Sequence, residues 1–471
     1  MTDRLVIENA VVATVDTTDW YHGTGAEFAS GHVVVEDGAI TAVGPGPAPA
    51  GAQGRRIDGH DALLVTPGLV NTHHHLYQWA TRGLAQQATL FEWLVALYPV
   101  WAGLDAEIEH AAASAGLAAL ARSGCTTVAD HHYVYPRDGG DLNAALVGAA
   151  RRVGVRLQLV RGSMDRGRSD GGLPPDNIVE DTDTALAGTE ADIAAYHDTA
   201  PDAMVRVSVG PCSPFSASTR LMREAAALAR HHGVRLHTHL AETLDEEEHC
   251  LAQFGRTPID YADELGWLAP DVWLAHGIHF DHDAIRRLGR TGTGIAHCPS
   301  SNARLGAGIA PVRALLDAGS PVGLGVDGAA SNEHGGLGDE LRQALLMARL
   351  RGATAAGGQP HPGALTARQA LWLGTRGGAR CIGRDEEIGS LEVGKRADLA
   401  VWRLDGLGQA GIADPVAALV LGPLPPLELL LVDGRAVVER GVVSTVDEPE
   451  LSAELAAASR LLQRRVEVIP S

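Results

Sequence analysis

The sequence predicts an α/β protein: a (β/α)8 TIM barrel with a small composite β-sandwich domain formed from both chain ends. Three observations predict it. Eight short apolar runs alternate with Ala- and Leu-rich helical stretches between about residues 65 and 375. Both ends of the chain carry β-like runs broken by Gly and Pro. Histidines and carboxylates fall just past several of the apolar runs, where barrels of this kind place their active sites.

The length of 471 residues suits a barrel plus an accessory domain. With 38 Lys+Arg against 58 Asp+Glu, the net charge is −20, which argues against nucleic acid and anionic lipid as partners. Five cysteines, widely spaced and without C-x-x-C, exclude a disulfide framework and a thiolate zinc site. The first residues lack a signal-peptide pattern and no apolar run is long enough to span a membrane, so a cytoplasmic protein is expected. A closed homo-oligomer is the expected assembly.

The elements follow in chain order. Residues 1–64 read as the first part of the β-domain, with Leu5-Val6-Ile7 and Val33-Val34-Val35 as strands and Asp37-Gly38 as a turn. Residues 65–384 read as the barrel. Its eight runs are 64–70, 126–129, 155–160, 205–209, 234–236, 272–275, 294–296 and 322–326, with helices such as 107–121 and 219–231 between them. Residues 171–175, rich in Gly and Pro, read as a long loop after the third run. Residues 385–448 return to β character and complete the small domain, and 449–471 form a closing helix and tail.

The chemistry lies past the strand ends. After the first run come His73 and His75, which alternation places on one face of an extended segment, with His74 pointing elsewhere. His237, His239 and Glu242 follow the fifth run, His276 the sixth and Asp327 the eighth. Neutral imidazoles with one carboxylate suit a single divalent ion, Zn²⁺ first and Fe²⁺ second. Such an ion lowers the pKa of a held water to near 7, and a carboxylate is then needed to move protons. Each residue alone has an ordinary reading: a strand-end His is commonly a structural hydrogen-bonder, and Glu242 opens an acidic helix face. Their coincidence at the ends of different strands favours a metal centre.

Residues 66–75 and 239–243, together with 389–399 near the C-terminus, resemble motifs of the amidohydrolase superfamily across essentially the whole chain. The resemblance implies His73, His75, His239 and Asp327 as metal ligands, and Glu242, His276 and Asp327 as the catalytic groups. It leaves His237 and His279 as supporting residues. Members that bridge two metals use a carboxylated barrel lysine; the only lysine here is Lys395, in the β-domain, so one ion is implied. Residues 75–78, 130–133, 161–164, 169–176, 211–215 and 297–302 are most similar to the 8-oxoguanine deaminase group. That likeness implies a small aminoheterocycle as substrate, 8-oxoguanine converted to urate and ammonia. Guanine, isoxanthopterin or another aminoheterocycle is the alternative, followed by triazine hydrolysis. Gln78, Arg161 and Cys212 are the candidate substrate contacts, against surface-amide, ion-pair and small-hydrophobe readings respectively.

Two other classes are weaker. Residues 167–171 match G-x-S-x-G, but Gly172, Pro174 and Pro175 follow, so the helix that motif requires cannot start there. A catalytically dead binding protein would be expected to lack a ligand or the acid, and none is missing.

Overall fold

The computed structural model describes residues 4–60, 62–354 and 361–467. The N-terminal part supplies β1 (Arg4–Ala13), β2 (Glu27–Glu36), β3 (Ala39–Pro45), β4 (Arg55–Asp58) and β5 (Leu63–Pro67). Eight parallel strands follow: β6 (Leu69–Asn71), β7 (Cys125–His132), β8 (Arg156–Ser163), β9 (Val205–Pro211), β10 (Arg235–Leu240), β11 (Val272–His276), β12 (Gly294–His297) and β13 (Val322–Leu324). They hydrogen-bond in chain order and close when β13 pairs with β6 through Leu324 and Asn71. The chain then adds β14 (Leu399–Arg403), β15 (Leu427–Val432), β16 (Arg435–Glu439) and β17 (Val442–Val443).

The terminal strands join into one nine-stranded sheet, in which β5 pairs with β14 and so links the two ends of the chain. This sheet is the small composite β-domain expected from both chain ends. Alternate side chains on β1, β2, β5, β14 and β15, including Ile7, Val35, Val65, Val401 and Leu429, form its own apolar cluster.

The first apolar run is split. Its residues to Pro67 belong to the terminal sheet, and only Leu69–Asn71 enter the barrel. Gly68 makes the crossing. A Cβ there would lie 2.3 Å from Thr126 Cγ2, so no larger residue fits.

The helices begin and end as local chemistry dictates. Ser218 accepts the Leu221 N–H at the start of Thr219–His232, and Gly233 ends that helix at φ 66°. The expected helix 107–121 is Ala106–Arg122, and the closing helix is Glu448–Glu467. No helix of the described residues is long and apolar enough to cross a membrane.

A buried bidentate pair locks the barrel onto the terminal sheet. Arg156 on β8 donates to both oxygens of Asp398 at 2.8 and 2.9 Å, and to Asp433 at 2.9 Å. It fixes the base of the barrel and leaves the opposite rim free for the site.

Candidate active site

The residues after β6, β10, β11 and β13 converge at the C-terminal rim. Asp327 Oδ1 stands 3.3 Å from His73 Nε2 and 3.2 Å from His75 Nε2. His75 Nε2 and His239 Nε2 face each other at 3.2 Å. All four side chains are buried.

The opposite edge of each imidazole is committed. His75 Nδ1 donates to the His131 carbonyl at 2.7 Å, and His239 Nδ1 to the Cys212 carbonyl at 2.6 Å. His73 Nδ1 lies 2.8 Å from His237 Nε2, while His237 Nδ1 donates to the Trp273 carbonyl at 2.8 Å. With Nδ1 carrying the proton, every Nε2 presents a lone pair. Burial keeps His73 and His239 far below the ordinary histidine pKa, hence neutral.

Two lone pairs facing at 3.2 Å repel, and His73 Nε2 is buried without a hydrogen-bond partner. A cation among these atoms removes both penalties. His73, His75 and Asp327 offer donors all within 4.8 Å of one another, as do His73, His131 and His239. His131 Nε2 is spent on the Gly210 carbonyl at 2.7 Å while its Nδ1 is buried without a partner, and of the other four His75, His239 and Asp327 line the cavity. The donor set thus fits one divalent ion.

Asp327 is held by hydroxyls: Ser301 Oγ donates to Oδ2 at 2.6 Å, and Ser331 Oγ lies 3.3 Å away. A cation shared between this carboxyl and the His73 and His75 Nε2 atoms would favour its ionised form. Glu242 is different. Burial raises its pKa, and His276 Nε2 at 3.6 Å only partly offsets that. For His276, burial disfavours the charge, yet Glu242 and Asp327 outweigh it and raise the pKa. Asn302 Oδ1 accepts from His276 Nδ1 at 2.9 Å. A carboxyl able to carry a proton therefore sits beside an imidazole able to share it. His276 and Asp327 hold φ of 71° and 60°, backbone strain concentrated at the rim.

A cavity opens onto these groups. One wall is apolar and comes from helix Leu90–Trp101 through Leu90, Trp93, Leu94 and Tyr98, with Phe215 nearby. Sequence reasoning missed this wall, although the unbroken apolar spacing of residues 90–98 signals a helix with much to bury. It also missed Ser301, Asn302 and Ser331 as partners of the site.

Gln78 lines the cavity with its Nε2 buried and unpartnered, and its Oε1 3.4 Å from the Ala330 N–H. Cys212 also lines it; burial pushes the thiol up to about 12, so it is neutral there. Arg161 corrects the expectation of a substrate contact. Its guanidinium is bidentate to Glu180 at 2.7 and 2.8 Å and lies over the Tyr135 ring, outside the cavity lining. His74 and His279 bind the His75 N–H and the Ala307 carbonyl respectively, away from the converging donors.

The amidohydrolase family profile matches residues 64–437. The chain belongs to the amidohydrolase family. It is 48% identical over 441 residues to 8-oxoguanine deaminase of Pseudomonas aeruginosa, covering 92% of this chain and 95% of that one. It is 41% identical to an isoxanthopterin deaminase from an unknown prokaryotic organism, covering 88% of each. Among solved structures, an atrazine chlorohydrolase from Arthrobacter aurescens complexed with zinc superposes with a TM-score of 0.89 at 33% identity, covering 97% of this chain and all of that one. This amidohydrolase thus pairs its family's barrel with a terminal sheet built from both chain ends.

Proposed function

We propose that the protein is a hydrolytic deaminase of an amino-substituted purine-type ring, converting 8-oxoguanine and water to urate and ammonia. One observation carries the reaction class: Glu242, buried and biased toward its protonated form, stands beside His276 at the edge of the donor cluster. The 48% identity to an 8-oxoguanine deaminase supports the choice of ring.

His73, His75, His239 and Asp327 would hold the ion, which we take to be Zn²⁺, one per chain. A bound divalent ion supplies a water acidic enough to attack near neutral pH. Asp327 or Glu242 would accept the proton the water loses. Glu242 returns it to the ring nitrogen beside the attacked carbon, so charge does not accumulate on the ring. His276 donates from Nε2 to the oxygen that develops at that carbon. A second proton transfer lets the amine leave as ammonia. Gln78 offers an amide to the purine edge, and Cys212 a small uncharged surface. The same reading includes a cytoplasmic location and a closed homo-oligomer.

The test is ammonia release from 8-oxoguanine, guanine, isoxanthopterin, cytosine and a triazine, with urate followed by its absorbance. The highest kcat/KM is expected on 8-oxoguanine. A guanine value well above it would overturn the choice of ring. Isoxanthopterin is the second reading, favoured by the 41% identity to a deaminase of that compound.

A further inference from the structure

Glu246 is a buried glutamate at the cavity that the proposed chemistry does not use. It is the third residue of helix Leu244–Phe254, whose N-cap is Thr243. In sequence, Thr243 and Glu246 read as a capping box, in which the glutamate would accept the N–H of the cap residue itself. The structure departs from that pattern. Thr243 makes no side-chain cap bond, and Glu246 reaches past it. Its Oε1 accepts the Ala241 N–H at 2.8 Å and its Oε2 the Glu242 N–H at 3.1 Å.

Ala241 needs such a clamp. It holds φ of 54°, a left-handed conformation that is unfavourable for a residue with a Cβ. Its carbonyl is pinned from the other side by the Ile278 and His279 N–H groups at 2.9 and 3.0 Å. The turn joining His239 to Glu242 is thus fixed at both faces of one peptide. A carboxylate is the only side chain of this length that offers two acceptors to two N–H groups.

We infer that Glu246 is a positioning residue for Glu242: by clamping the Ala241 and Glu242 N–H groups it aims the Glu242 carboxyl at the reacting ring. This rests on Glu242 acting as the proton carrier.

The test uses Glu246→Gln, Glu242→Gln and the double variant of the metal-loaded enzyme. Glutamine keeps the volume but turns an amide NH₂ against one of the two N–H donors. Glu246→Gln should lower kcat by about tenfold or more, with KM within about threefold of wild type and one metal ion retained per chain. In the Glu242→Gln background the same change should cost nothing further, since there is no acid left to aim. Turnover of Glu246→Gln within about twofold of wild type would overturn the inference. So would loss of the metal, or an equal fold-loss in both backgrounds, which marks a merely structural role. If Glu242→Gln alone stays active, the underlying assignment of the acid has failed instead.

Discussion

His237 Nε2 lies 2.8 Å from His73 Nδ1, and the His237 ring stacks 4.5 Å from that of Trp273. The second imidazole thereby fixes the tautomer and the orientation of the first. His237→Ala should weaken metal affinity about 10- to 100-fold while leaving the fold intact, as measured by competition with a chelator. Unchanged affinity would show that His73 needs no such support.

Glu242→Gln should reduce kcat by about 10²- to 10⁴-fold with metal content unchanged. Steady-state ammonia release and elemental analysis check both halves. A variant that keeps most of its turnover would move the proton carrier elsewhere.

Arg161 neutralises Glu180 in the protein interior, with Asp192 3.6 Å away. Arg161→Ala should therefore destabilise the fold by about 3–5 kcal/mol through the uncompensated carboxylates. The surviving enzyme should show an unchanged KM. A raised KM with wild-type stability would restore the substrate-contact reading.

Glu340 accepts from the Ser300 N–H at 3.1 Å and Asn332 Nδ2 at 2.9 Å, joining the short helix Pro299–Arg304 that carries Ser301 to the segment that carries Ser331. Burial raises its carboxyl from 4.5 to about 7. Below 4.5 both folded and unfolded chains hold the proton, and no penalty arises. As pH rises from there to about 7, the unfolded chain releases its proton first and the fold loses stability, by about 3 kcal/mol at most. Glu340→Gln should flatten this decline, seen as a smaller difference in urea stability on the two sides of that window. An unchanged difference would assign the decline to other buried carboxyls.

The barrel and the converging donors were readable because both rest on periodicity: strand and helix spacing give the scaffold, and strand ends give the register of His73, His75, His239 and Asp327. Arg161 was misread because the same register places its backbone at a strand end, while its guanidinium is captured by Glu180, nineteen residues on. Local pattern carries no signal for that pairing. The apolar run through Gly68 looked like one strand because hydrophobicity is continuous there; the run passes from one sheet to the other at Gly68, where a Cβ would collide with Thr126. Glu246 lies on the acidic helix face that follows Glu242 in sequence, and which N–H groups its carboxylate meets depends on the path of a turn.

The barrel closes where Leu324 pairs with Asn71, and the Asp327 N–H donates to the His73 carbonyl at 3.1 Å just beyond it. His73 and His75 follow one side of that seam and Asp327 the other. During synthesis, the first half of the coordination sphere leaves the ribosome some 250 residues before the last donor. The nascent chain cannot assemble the full set until its final barrel strand docks against its first. Under the proposed ligand set, metal would load late and would fasten the closure at this join.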